Sequence, residues 1–195
     1  MKRFGPIIAI VVVCWVVFIL NNVMLGGSLT QYGIHPRRIG SLLGILWSPF
    51  LHVSFGHLAA NTLPLLILGG IICARSKAEF LGVTATGILL GGGLIWLLAR
   101  NADHVGASGL IFCYFGFLIA RAWFDRTFVT FVLAAICLVG YGGILIGLLP
   151  ISSHVSWEGH LAGLVAGIAA AAMTTNKNQA IAPAEIPGLK ITPGK

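Results

Sequence analysis

Charge is what this chain has least of. Lys, Arg, Asp and Glu together make up 9% of its 195 residues, and only five of these are acidic. Cysteine is sparse too. Cys14, Cys73, Cys113 and Cys137 each lie inside an apolar run with no CxxC spacing, which argues against a disulfide framework or a thiolate metal site and leaves them as small core residues. No second folded unit fits between the apolar runs. What is abundant is apolar: 57% of the residues are hydrophobic and the mean hydropathy is +0.97, far above a soluble domain. The net charge of +7 would suggest nucleic acid in a soluble protein. Here the cations sit at the ends of apolar runs, so orientation in a bilayer accounts for them; the lipid bilayer is an expected partner and nucleic acid is not.

The apolar runs predict an all-α polytopic membrane protein with six transmembrane helices over 6–25, 51–73, 80–99, 108–124, 128–149 and 157–174. The first run follows Lys2 and Arg3 but is too long for a secretory h-region and lacks a small-x-small cleavage site, so it reads as a retained helix. An even number of spans puts both termini on one side. That side carries nine of the cations (Lys2, Arg3, Arg75, Lys77, Arg121, Arg126, Lys177, Lys190 and Lys195), against Arg37, Arg38 and Arg100 on the other. The positive-inside bias therefore predicts cytoplasmic termini in a bacterial-type plasma (inner) membrane. Residues 26–50 form a long outer connection whose pattern suits short amphipathic pieces in the interface. The expected domains are a membrane unit over 1–175 and a disordered cytoplasmic tail over 176–195, rich in Pro and Lys.

The fourth run is short. It is entered through Gly106-Ala107-Ser108-Gly109, and from Ser108 to its next charge, Arg121, the rise is about 20 Å at ~1.5 Å per residue. If Arg121 marks the cytoplasmic boundary of a core roughly 30 Å thick, Ser108 lies about 10 Å below the outer surface. A serine held there at a helix start has two readings: a small residue in a helix interface, or a nucleophile. A hydroxyl becomes a nucleophile when a base accepts its proton. The candidate base is His160, on the sixth run, where Gly159, Gly163 and Gly167 form a small-xxx-small face that admits a close helix. Gly109 and Gly116 lighten the facing helix. His160 could instead make an interhelical hydrogen bond, yet an ionisable group inside a span shifts the balance toward function. Helix-terminal N–H groups at Ser108 would favour a developing oxyanion.

The second run enters through a polar stretch, His52-Val53-Ser54-Phe55-Gly56-His57-Leu58-Ala59-Ala60-Asn61. His57 and Asn61 are four apart and share a helix face. The Asn61 amide could donate to an oxyanion or close a polar clasp between helices. His52 reads as such a clasp. No acidic residue accompanies the two histidines at a useful spacing, so no metal and no cofactor is expected.

Taken together, His57-xxx-Asn61, Gly106-Ala107-Ser108-Gly109 and Gly159-His160 with its glycine ladder resemble a rhomboid intramembrane serine protease, in order and spacing across nearly the whole chain. The resemblance implies a short central helix carrying Ser108 as nucleophile and His160 as general base, a dyad without a carboxylate. It implies an oxyanion hole of His57, Asn61 and the Ser108 N–H, approached through Gly106, with His52 a structural histidine and Gly109 and Gly163 in the helix contact. Two departures stand out. Phe112 occupies the place of a common tyrosine that packs on the base, and the outer Trp-Arg pair of the first loop has no clear equivalent. Glu158, two positions before the base, points off its face. The implied function is endoproteolysis of transmembrane protein substrates near the outer face through an acyl-enzyme. The alternative is a catalytically inactive relative that binds membrane helices; such relatives typically lose the serine, the histidine or the GxSG context, all of which this chain keeps. A small transporter would call for internal repeats or charges at mid-depth, and neither is evident.

Overall fold

The computed structural model describes residues 3–151 and 155–181, with the backbone alone over 175–181. Six helices follow one another: α1 (Gly5–Met24), α2 (Phe55–Arg75), α3 (Lys77–Leu98), α4 (Ser108–Asp125), α5 (Phe128–Leu148) and α6 (Trp157–Ile181). Among the described residues, the first five are long and apolar enough to cross a membrane. Helix α6 has the length, with 25 residues, but Glu158, Gly159 and His160 at its start and an Ala/Gly-rich body make it less apolar. The expected spans thus recur within a few residues at most ends, the largest difference being at α6, whose backbone continues past 174 to Ile181. The rest of the predicted tail, 182–195, lies outside the described residues.

Local chemistry explains the helix starts. Pro6 sits in the first turn of α1, where a missing N–H costs nothing. Ser54 caps α2 by accepting from the His57 N–H, and Ser76, the single residue between α2 and α3, caps α3 by accepting from the Glu79 N–H. Thr127 and Thr130 form a reciprocal capping box at α5. Helix α3 carries a π-turn over Gly87–Gly91, a rare feature that marks functional regions more often than chance.

Helix α4 is the shortest of the six, at 18 residues or about 27 Å. It is also the central one: 61% of its apolar window is buried, against 17% for α1 and α5. The core forms where its Tyr114, Phe117 and Leu110 meet Leu65, Leu68 and Ile72 of α2, Phe80 and Val83 of α3 and Ala166, Ala170 and Ala171 of α6. At the end opposite Ser108 stands Arg121, the expected boundary cation. It does not face water; it is 4% exposed and paired with Asp125 at 2.6 Å and Glu79 at 3.6 Å, while Arg75 also contacts Glu79 and Asp125 at 3.3 Å each. This four-charge knot ties α2, α3 and α4 together.

The outer connection is a chain of short turns, over Ser28–Tyr32, Ile39–Ser41, Gly44–Trp47 and Ser48–Phe50. Ile39, Leu43 and Trp47 stand exposed along it, as an interfacial segment would place them. Arg37 fastens it to the end of α3 by donating to the Leu97 and Ala99 carbonyls, and Trp96 returns a bond to the Arg38 carbonyl.

Candidate active site

Ser108 is the first residue of α4 and His160 the fourth of α6, and the two helices run parallel with their backbones in contact. Glycine makes that approach possible. A Cβ at Gly163 would overlap the Gly109 carbonyl, and one at Gly167 would overlap the Cys113 carbonyl. From the other side, a Cβ at Gly116 would lie 2.7 Å from the Leu164 carbonyl oxygen. The expected small-residue seam therefore exists, and it delivers Ser108 and His160 to one cavity of about 650 Å³.

The His160 ring is held on two sides. Its Nδ1 lies 2.8 Å from the Gly147 carbonyl oxygen. A carbonyl can only accept, so Nδ1 carries the proton and Nε2 keeps its lone pair. Phe112 stacks on the ring with centroids 4.3 Å apart and planes 10° from parallel. The phenyl face thus does the packing expected of it without a hydroxyl.

Helix α2 contributes His57 and Asn61 to the same cavity, one turn apart as predicted. Asn61 is buried, and its Nδ2 has no hydrogen-bond partner among the described residues. A buried amide donor without an acceptor is costly unless something arrives to use it. The His57 ring packs on Gly106, whose φ of +114° favours glycine, and a Cβ there would sit 2.5 Å from His57 Cε1. His52 is buried behind, its ring edge-on to His57 at 5.1 Å, and its Nε2 accepts from the Ala107 N–H at 3.4 Å. The Gly106 N–H goes to the Ser48 carbonyl at 2.8 Å. The strand-like approach to Ser108 is thereby pinned by two backbone donors. Ala107, at the helix cap, offers no side-chain acceptor, so the first-turn N–H groups of α4 stay available to an anion.

A polar clasp that sequence reasoning missed lines the cavity. His104 Nε2–H donates to the Arg100 carbonyl at 3.1 Å, which leaves Nδ1 to accept from the Ser156 hydroxyl at 2.6 Å. Ser156 also caps α6 by accepting from the Gly159 N–H. Arg100 donates to the Val155 carbonyl at 2.8 Å and pairs with Glu158 at 3.6 Å. Glu158 is thus engaged by Arg100, and the His160 Nδ1 bonds the Gly147 carbonyl instead. The loop before the serine is fastened to the start of the helix that bears the base. Burial holds the His104 imidazole below its ordinary pKa, with Arg100 adding to the effect and its Arg100 carbonyl bond, Glu158 and Asp103 opposing it. The clasp was not legible in the sequence, because the Ser156 partner of His104 is 52 positions away. Among the described residues, no three His, Cys, Asp or Glu side chains converge as a metal site requires.

A Rhomboid domain profile matches residues 39–177, more than half of the chain. The chain is also similar to uncharacterized proteins of Mycobacterium bovis and Mycobacterium tuberculosis, each 40% identical over 155 residues, which is 75% of this chain and 65% of the relative. An uncharacterized protein of Mycobacterium leprae is 38% identical over 153 residues, 74% of this chain and 61% of the relative. The chain therefore spans somewhat less than two thirds of the length of these relatives.

Proposed function

The chain belongs to the rhomboid family and is an integral multi-pass membrane protein, and on that premise we propose that it is a serine endopeptidase cutting transmembrane proteins within the bilayer. One observation carries the reading: a hydroxyl, an imidazole with an open Nε2 and an unsatisfied amide donor, from three helices, line one cavity. That is the minimum set for acyl transfer.

Ser108 Oγ attacks the scissile carbonyl while His160 Nε2 takes its proton. The carbonyl oxygen becomes an oxyanion facing the Asn61 amide, His57 and the first-turn N–H groups of α4, donors already aimed where charge develops. His160 then gives its proton to the leaving amine, which departs with the downstream half of the substrate. Water, deprotonated by the same nitrogen, cleaves the acyl ester and restores Ser108. Ser54, His57, Asn61 and His104 line the cavity and give it the polarity to admit that water. A helical peptide bond is shielded by its own hydrogen bonds, so the substrate helix must unwind locally before it fits. The charge distribution supports cytoplasmic termini and cutting near the outer face, in a membrane we read as a bacterial plasma membrane. The test is incubation of purified protein with a labelled transmembrane peptide. The expected result is cleavage by wild type and none by Ser108→Ala. Capture of the peptide without cleavage by either protein would instead support an inactive helix-binding relative.

A further inference from the structure

We propose that Gly147 is a positioning residue for the base, its backbone carbonyl standing where a triad would put a carboxylate; this rests on His160 being the general base. A dyad leaves one question open: what keeps the imidazole in the tautomer that can accept from serine. In this chain Phe112 contributes a ring face and no polar atom, and Glu158 is held by Arg100. Among the described residues, the polar group on Nδ1 is the Gly147 oxygen at 2.8 Å.

Three features fit that carbonyl for the task. The first is its freedom from helix bonding. The end of α5 leaves the α-helix at Tyr141 and continues as a 3-10 stretch over Gly142–Leu148. Beyond it, the Leu149 N–H goes to the Ile146 carbonyl at 3.0 Å and the Ile151 N–H to the Leu149 carbonyl at 2.8 Å, so neither claims the Gly147 oxygen. The second is access. A Cβ on residue 147 would lie 2.8 Å from His160 Nδ1 and 3.4 Å from Phe112 Cζ, so glycine is the residue that lets this backbone approach the ring. The third is location. Gly143, Ile144 and Gly147 line the same cavity as His57 and Asn61. A substrate entering the cavity touches the same stretch that orients the base.

The test reads the tautomer directly and needs no turnover. In protein with ¹⁵N-labelled histidine, the His160 signals are identified by their loss in His160→Gln. The expected spectrum at neutral pH shows His160 protonated at Nδ1 and bare at Nε2. Gly147→Ala should abolish that signature and lower kcat by about tenfold or more with KM nearly unchanged, because the ring turns while the cavity persists. Gly142→Ala, in the same stretch but with nothing within 4 Å of its Cβ, should keep both signature and rate. An Nε2-protonated His160 in the wild type would overturn the proposal without any variant. So would a folded Gly147→Ala protein that keeps the Nδ1–H signature and its rate. If no peptide is ever cleaved but the Nδ1–H signature is present and lost in Gly147→Ala, the protease reading fails and the positioning of His160 by Gly147 stands.

Discussion

Gly163→Ala adds one methyl group to a helix that should welcome it, since alanine is the better helix former by about 0.5–1 kcal/mol. Its position makes the effect the opposite. The new Cβ would overlap the Gly109 carbonyl oxygen and lie 3.0 Å from the Gly109 carbonyl carbon and 3.2 Å from its Cα. All three are backbone atoms, so no rotamer change relieves the contact. Non-bonded heavy atoms pack at roughly 3.5–4.0 Å, so α4 and α6 must part by about 1 Å at this level. Gly109 adjoins Ser108 and Gly163 lies one turn past His160, so the parting falls on the dyad. A misplacement of about 1 Å costs about 10²-fold in rate, which is close to 2.7 kcal/mol of barrier. The assay is kcat on a quenched fluorescent transmembrane peptide, paired with a thermal melt to show that the variant is folded. Gly70→Ala, whose Cβ meets nothing within 4 Å, should stay within about twofold of wild type by the ordinary helix preference. A folded Gly163→Ala enzyme within about threefold of the wild-type kcat would refute the argument that helix approach assembles the dyad.

Asn61→Ala should reduce kcat by about 10²–10³ while leaving KM almost unchanged, because its amide meets charge present only in the transition state; a rise in KM alone would return Asn61 to a structural clasp. The His104 clasp should weaken in acid. Burial depresses its folded-state pKa, so below about 6.5 the unfolded chain takes up a proton that the folded one resists, and stability falls as pH drops toward the folded value. Wild type should therefore lose Tm on acidification more steeply than His104→Asn, and parallel curves would contradict the assignment. At the other end, Asp125→Ala removes the closest partner of buried Arg121 and should destabilise by about 3–5 kcal/mol, whereas a Tm unchanged within error would mean the knot contributes nothing.

The parts of this site legible in the sequence are those written in side chains at helical spacing. His57 and Asn61 four apart, and glycines at 159, 163 and 167, announce shared faces whatever the helices pack against. Ser108 and His160 stood out because polar groups inside apolar runs are costly. What stayed hidden was held by backbone or by distant partners. The Gly147 carbonyl leaves no mark in the run Gly142–Leu148, which reads as the continuation of a span, and the 3-10 turn that frees it has no distinctive composition. The His104–Ser156 bond joins two loops that only the packed helices bring together. For Arg121, Asp125 four residues on was in plain view, but the Glu79 partner lies at the start of α3 and meets it only when the helices pack.

The most direct test of the central claim is the mass of the intact protein after exposure to a serine-reactive fluorophosphonate. Wild type should gain a single adduct, located by peptide mapping at Ser108, and both Ser108→Ala and His160→Ala should gain none. An unmodified wild-type protein, or an adduct that persists in Ser108→Ala, would contradict the account.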